Sequence, residues 1–108
     1  MQQSGEYKTV PPEVVLAYVA EEAAKAGFVR EVILFGSRAR GNARPYSDYD
    51  LAFVLKPGTE PIRWLAFAET LDEDAPTLCR LSTVKLKPSI RPELLAEIQQ
   101  HGKHIYGP

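Results

Sequence analysis

The sequence predicts a mixed α/β (α+β) domain, a small sheet flanked by helices, and three observations carry that prediction. Two short runs, Val29–Phe35 and Asp48–Lys56, are rich in β-branched and apolar residues and stop at Gly36 and at Pro57-Gly58. Stretches of helical period stand before, between and after them. The length of 108 residues and a hydrophobic content of 44% are those of one ordinary folded domain, so residues 1–108 read as a single unit with one core.

Pro11-Pro12 opens the first helix, because proline fits a first turn whose N–H would lack a partner anyway. From Glu13 to Ala26 the residues Val15, Val19 and Ala23, with Leu16 and Ala20 beside them, form one apolar face. Glu21 and Lys25 are an i,i+4 pair on the outer side, and Gly27 ends the helix. Val29–Phe35 reads as a buried strand. Ser37 to Tyr46 is polar and holds Gly41, Asn42 and Pro45, enough for a short helix or a loop. Leu51 to Leu55 is apolar on both faces, as in a central strand. Ile62, Leu65, Ala66, Ala68 and Leu71 indicate a third helix that closes in Asp72-Glu73-Asp74. Thr77 to Val84 reads as a third strand with Cys79 buried in it, and Pro92 to Gln100 as a last helix with Leu94, Leu95 and Ile98 inward. Gly102 ends that helix, and a small apolar tail, Ile105-Tyr106, follows.

With 13 Lys and Arg against 14 Asp and Glu, the formal charge of −1 disfavours a broad polybasic binder of nucleic acid. The single thiol, Cys79, has no internal disulfide partner, and Met1-Gln2-Gln3-Ser4-Gly5 lacks the pattern of a signal peptide. The expectation is a chain of the reducing cytoplasm. No apolar run approaches the ~20 residues that span a bilayer, so no membrane role is expected.

Chemistry concentrates in Phe35-Gly36-Ser37-Arg38-Ala39-Arg40-Gly41 and Ser47-Asp48-Tyr49-Asp50-Leu51. Gly36 after a strand permits close backbone approach, and the N–H groups that follow, with the Ser37 hydroxyl, can hold a phosphate. Arg38 and Arg40 add positive charge there. Asp48 and Asp50, two apart on a strand, project from one face about 7 Å apart. Two such carboxylates beside a phosphate cradle are the hard oxygen ligands that Mg²⁺ prefers. Unneutralised, they would repel one another at the edge of a buried strand.

Gly36-Ser37-Arg38-Ala39-Arg40-Gly41, six residues, then Asp48-Tyr49-Asp50-Leu51 resembles the signature of the DNA polymerase β-like nucleotidyltransferase superfamily, in particular its minimal members. The likeness extends from the first helix to the Ile105-Tyr106 tail. It implies the nucleotidyltransferase fold, with Asp48 and Asp50 as catalytic metal ligands and with Gly36 and Ser37 holding the triphosphate, beside which Arg38 and Arg40 would be further phosphate-binding candidates. It implies transfer of a nucleoside monophosphate, usually AMP from ATP or else another NTP, to a hydroxyl. Two Mg²⁺ (or Mn²⁺) ions ~3.5–4 Å apart would stabilise the attacking and leaving oxygens. It also implies a small all-helical partner of HEPN type, as toxin to this antitoxin or as the acceptor-holding subunit of a transferase. A chain of this length has no room for a separate acceptor-binding domain, and a homo-oligomer stays open.

One departure from the family pattern stands out. The family's third carboxylate follows a proline on the next strand, and the matching stretch here is Pro76-Thr77-Leu78-Cys79-Arg80-Leu81. Arg80 thus occupies a degenerate third site, an exchange of about two charge units that opposes a second Mg²⁺. The alternative function is therefore a catalytically silent antitoxin or binding module that neutralises its partner without turnover. Plainer readings stand beside the sharp ones. Arg80 can form a structural ion pair with Asp48 or Asp50, Arg44 can be a solvated loop residue, and Ser47 a turn residue. Tyr49, Trp64 and Phe67 can be packing, and His101 and His104 surface residues rather than a metal pair.

Overall fold

The computed structural model describes residues 10–108; Met1–Gly5 lie outside the described residues. The elements follow in the order α1 (Pro12–Ala26), β1 (Val29–Phe35), α2 (Ser37–Arg40), β2 (Tyr49–Leu55), α3 (Pro61–Glu73), β3 (Leu81–Lys85), α4 (Pro92–His101) and β4 (Lys103–Tyr106). The helices α1, α3 and α4 each carry a proline in the first turn, which explains where they start.

The sheet order is β3-β2-β1-β4. β1 is antiparallel to β2 and to β4, and β2 is parallel to β3. The β2–β3 connection runs through α3, as a parallel pair requires. Period-two alternation divides β2: Tyr49, Leu51 and Phe53 point into a core that also holds Val32, Leu34 and Leu81 of the neighbouring strands. α1 covers this face with Val15, Val19 and Ala23, and α3 covers it with Trp64 and Leu71. Phe53 meets Trp64 at 5.1 Å and Phe67 at 5.7 Å between ring centroids, so the aromatic residues of α3 are core. The opposite face of the sheet carries Asp50, and α4 covers part of it with Ile98. Among the described residues no helix is long and apolar enough to cross a membrane.

Four readings of the sequence need correction. The inward face of α3 is Trp64, Phe67, Ala68 and Leu71, whereas Ile62 and Leu65 are 69% and 60% exposed. Apolar residues stand on more than one side of the helix, and the rings of Phe28 and Phe53 decide which side packs. The third strand begins at Leu81, four residues later than Thr77, because side chains take up the backbone N–H groups first. Thr77 Oγ1 accepts from Cys79 N at 3.1 Å and Asp72 Oδ1 from Leu81 N at 2.8 Å. Cys79 is consequently a half-buried loop residue, free and outside the strand. On α4 Leu95 lies outward at 37% exposure, leaving Ile98 as the anchor. The apolar tail is itself a strand, β4, which completes the sheet beside β1.

Tyr18 ties α1 to α3 by donating its hydroxyl to the Leu71 carbonyl at 2.8 Å. Burial, with the charges of Glu22, Asp74 and Asp72 adding, pushes its pKa up to about 12. Tyr18→Phe is expected to lower stability by about 1 kcal/mol in denaturant unfolding at pH 7. The phenol's contribution is complete below the unfolded pKa of about 10 and is lost as pH rises through the folded value. The gap between wild type and Tyr18→Phe should therefore narrow above pH 10.

Candidate functional site

β1 runs into Gly36, whose backbone (φ 75°, ψ −159°) lies in a region that side chains exclude. The turn leads into the single-turn α2, where Ala39 N and Arg40 N both donate to the Gly36 carbonyl at 3.0 Å. Phe35 is paired with Asp50 across the β1–β2 ladder, which sets the Asp50 carboxylate directly over Gly36. A Cβ on Gly36 would stand 2.2 Å from Asp50 Oδ2, so the space that glycine leaves empty is filled by the carboxylate. Asp48 lies two residues upstream and is exposed.

The electrostatics of this pair follow from that placement. Burial pushes the Asp50 carboxyl above its ordinary value, and the negative charge of Asp48 pushes in the same direction. Arg40 opposes the shift and Glu97 adds to it. A half-buried carboxylate crowded by a second one is stabilised by a cation between them. Two carboxylates on one edge of the sheet suit a hard divalent ion such as Mg²⁺, which needs one or two protein oxygens and completes its shell with phosphates and water. Among the described residues no group of three His, Cys, Asp or Glu side chains gathers to hold a metal.

The arginines of the motif separate. Arg38 points to the other side of the sheet, where its guanidinium lies 3.9 Å from the centroid of the Tyr49 ring. Its Nε and Nη2 donate to the Ser47 carbonyl at 3.1 and 2.9 Å, and Nη2 also donates to Pro45 O at 3.2 Å. Cys79 Sγ reaches both Arg38 Nη2 and Pro45 O, at 3.5 and 3.4 Å. Arg38 thus holds the loop that delivers Asp48 through its Nε and Nη2. Ser47 Oγ accepts from Arg44 N at 2.8 Å, a turn-forming bond. Arg40 stays on the Asp50 side and pairs with Glu97 of α4.

Arg80 stands just before β3, where its carbonyl accepts from Tyr49 N at 2.9 Å. It lines a shallow groove at the sheet edge with Glu69, Asp72 and Glu73, and no ion pair joins it to Asp48 or Asp50 among the described residues. The residue abreast of Asp50 on β3 is Ser82, because the strand starts later than the sequence pattern indicates. Ser82 and Glu97 are the two residues near the site that sequence reasoning did not single out. Neither carries a local signal, since each is placed only by the pairing of β3 and the docking of α4. His104 is remote from this centre and bonds Glu31 Oε1 at 2.8 Å.

Comparison with known proteins bears on the family and the fold. The family described as "Polymerase beta, Nucleotidyltransferase" matches residues 18–108. No curated protein matches the chain significantly. Among solved structures, a toxin–antitoxin complex with AMP-PNP is 20% identical, with a TM-score of 0.68 over 86% of this chain and 73% of that one. A tri-AMPylated Shewanella oneidensis HEPN toxin in complex with its MNT antitoxin is 18% identical, with a TM-score of 0.65 over 89% and 72%. The MntA–HepT toxin–antitoxin structure is also 18% identical, with a TM-score of 0.64 over 89% and 73%. At these identities the structural likeness shows the fold, a mixed sheet flanked by helices, while the family match covers most of the sequence and includes both halves of the Gly36-Ser37 and Asp48/Asp50 site. The chain therefore belongs to the polymerase β nucleotidyltransferase family, with the fold of its minimal members.

Proposed function

We propose that this chain binds ATP or another NTP with Mg²⁺ and transfers the nucleoside monophosphate, AMP in the case of ATP, to a hydroxyl presented by a helical HEPN-type partner. The observation that carries this reading is the seating of the Asp50 carboxylate in the space left by Gly36, with Asp48 in the loop just before the same strand. That packing makes one unit of the phosphate-binding turn and the acidic pair. Gly36 and Ser37 bring backbone N–H groups and a hydroxyl to the phosphates, and Arg40 adds a cation on the same side. Asp48 and Asp50 would hold Mg²⁺, or Mn²⁺ in its place. When bound, the ion supplies charge neutralisation for the transferring phosphoryl group and its leaving oxygen. Arg38 acts at one remove by fixing the loop before Asp48. The structures of toxin–antitoxin complexes with AMP-PNP and with an AMPylated HEPN toxin support the choice of nucleotide and partner. A reducing cytoplasmic setting accords with the single free thiol. The test is incubation with labelled ATP, Mg²⁺ and the partner: label should appear on the partner with wild type and not with Asp48→Asn, and equal labelling by both would overturn the proposal.

A second reading, an antitoxin that docks its partner without turnover, is favoured by Ser82, since no carboxylate stands abreast of Asp50 on β3. Adjacent strands are ~4.8 Å apart, so an aspartate at position 82 would bring a third carboxylate to the pair. Ser82→Asp is expected to tighten Mn²⁺ binding about tenfold, read by calorimetry, and to raise labelling of the partner, whereas Arg80→Asp at the groove edge should do neither. If the chain acts only by docking, Asp50→Asn leaves neutralisation of the partner intact.

A further inference from the structure

The two arginines of the motif lie on opposite faces of the sheet, and only Arg40 stands on the Asp50 side. Arg38 is held on the far face by backbone carbonyls. Arg40 is consumed by a side chain, Glu97 on α4, and that difference matters. A carbonyl fixed in a loop cannot be displaced without refolding the loop. A glutamate that keeps 28% of its side-chain surface in water, paired with an arginine that keeps 37%, forms a bond worth at most about 1 kcal/mol and readily exchanged.

Glu97 also adds a third negative charge to the neighbourhood of Asp48 and Asp50. An incoming triphosphate meets that charge and finds Arg40 already neutralised. Phosphate oxygens outcompete a carboxylate for a guanidinium, because they carry more charge and accept the same two-pronged set of N–H donors.

We propose that Glu97 sets the affinity of this site for nucleotide phosphates by occupying Arg40, and that a bound nucleotide takes Arg40 away from it. This rests on the nucleotide-binding reading above. Glu97 is then a positioning residue: it touches neither phosphate nor metal, and it acts through the arginine. Its helix is held on this face of the sheet by Ile98, the adjacent residue, so breaking the pair leaves α4 anchored while Glu97 turns to solvent.

The experiment is a calorimetric titration of the full chain with ATP in saturating Mg²⁺, for wild type, Glu97→Gln, Arg40→Ala and the double variant. The proposal expects Glu97→Gln to bind ATP about three- to fivefold more tightly than wild type, the reverse of what loss of a structural contact produces. Arg40→Ala should bind more weakly, and adding Glu97→Gln to it should bring no further gain. Glu97→Asp, which keeps the charge on a shorter stem, should fall between wild type and the glutamine variant. Unchanged or weaker binding by Glu97→Gln overturns the proposal, as does an equal gain in the Arg40→Ala background, which would mean simple charge relief. Absence of ATP binding by wild type and every variant overturns the nucleotide-binding reading itself and this inference with it. Thermal melts of each variant identify any that fails to fold, and in that case the Glu97→Asp titration decides.

Discussion

Asp50→Asn is expected to abolish nucleotide transfer while making the metal-free protein more stable. A lost metal ligand removes several kcal/mol of charge stabilisation from the transition state, so labelling of the acceptor should fall about 100-fold or more. The stability effect follows from the seat of the carboxyl. Burial against Gly36 and the neighbouring Asp48 hold its pKa above the unfolded value, so ionised Asp50 opposes folding at neutral pH. The neutral asparagine removes that penalty. Melting of the metal-free protein at pH 7 should be higher for Asp50→Asn, and the gain should shrink as pH falls through the folded pKa, where wild type is protonated too. Mg²⁺ should raise the melting temperature of wild type and leave that of the variant unmoved. A variant less stable than wild type at pH 7 would contradict the electrostatic account of the site.

Gly36→Ala should damage fold and function together. The backbone at Gly36 would cost a side chain about 1–3 kcal/mol, and the new methyl would claim the position of the Asp50 carboxylate, 2.2 Å from Oδ2. One of the two must move. Gly58 is the informative control, because it also has positive φ, at 82°, but nothing within 4 Å of an added Cβ. Gly58→Ala should lose stability with Mg²⁺ response and transfer retained, whereas Gly36→Ala should lose all three. If both alanine variants keep the Mg²⁺-induced rise in melting temperature, Gly36 is a turn residue and not part of the site.

The two central strands and the acidic pair were legible because their signals are local. Runs of β-branched and apolar residues bounded by glycine and proline mark Val29–Phe35 and Asp48–Lys56 without reference to anything else, the second observed as Tyr49–Leu55, and the acidic pair at Asp48 and Asp50 is a local pattern too. Other features depend on partners remote in the chain. Ile62 and Leu65 repeat at helical spacing as well as Trp64, Phe67 and Leu71 do, and only the aromatic residues below the helix distinguish the two faces. The start of β3 depended on Asp72 capturing the Leu81 N–H. The destination of Arg38 depended on carbonyls presented by the eight-residue segment 41–48, which has no regular structure. Within the site, the residue types at Gly36, Asp48 and Asp50 could be read from the sequence. Which residue stands abreast of Asp50, and which acid holds Arg40, required the register of β3 and the docking of α4.

The strand order has a consequence for how the chain acquires its shape. β1 forms one of its two ladders with β2, close by in sequence, and the other with β4, where His104 reaches Glu31 across 73 residues. During synthesis the first hairpin can close as soon as β2 emerges, but the outer edge of β1 then waits, with its N–H and C=O groups unpaired, for nearly all the remaining chain. Helix α4 and its Glu97 arrive in that same final segment. A nascent chain arrested before α4 would hold Gly36 and Asp50 together while its Arg40 is still unopposed, so the ribosome-bound intermediate should be both the most aggregation-prone form of this protein and its most anion-receptive one.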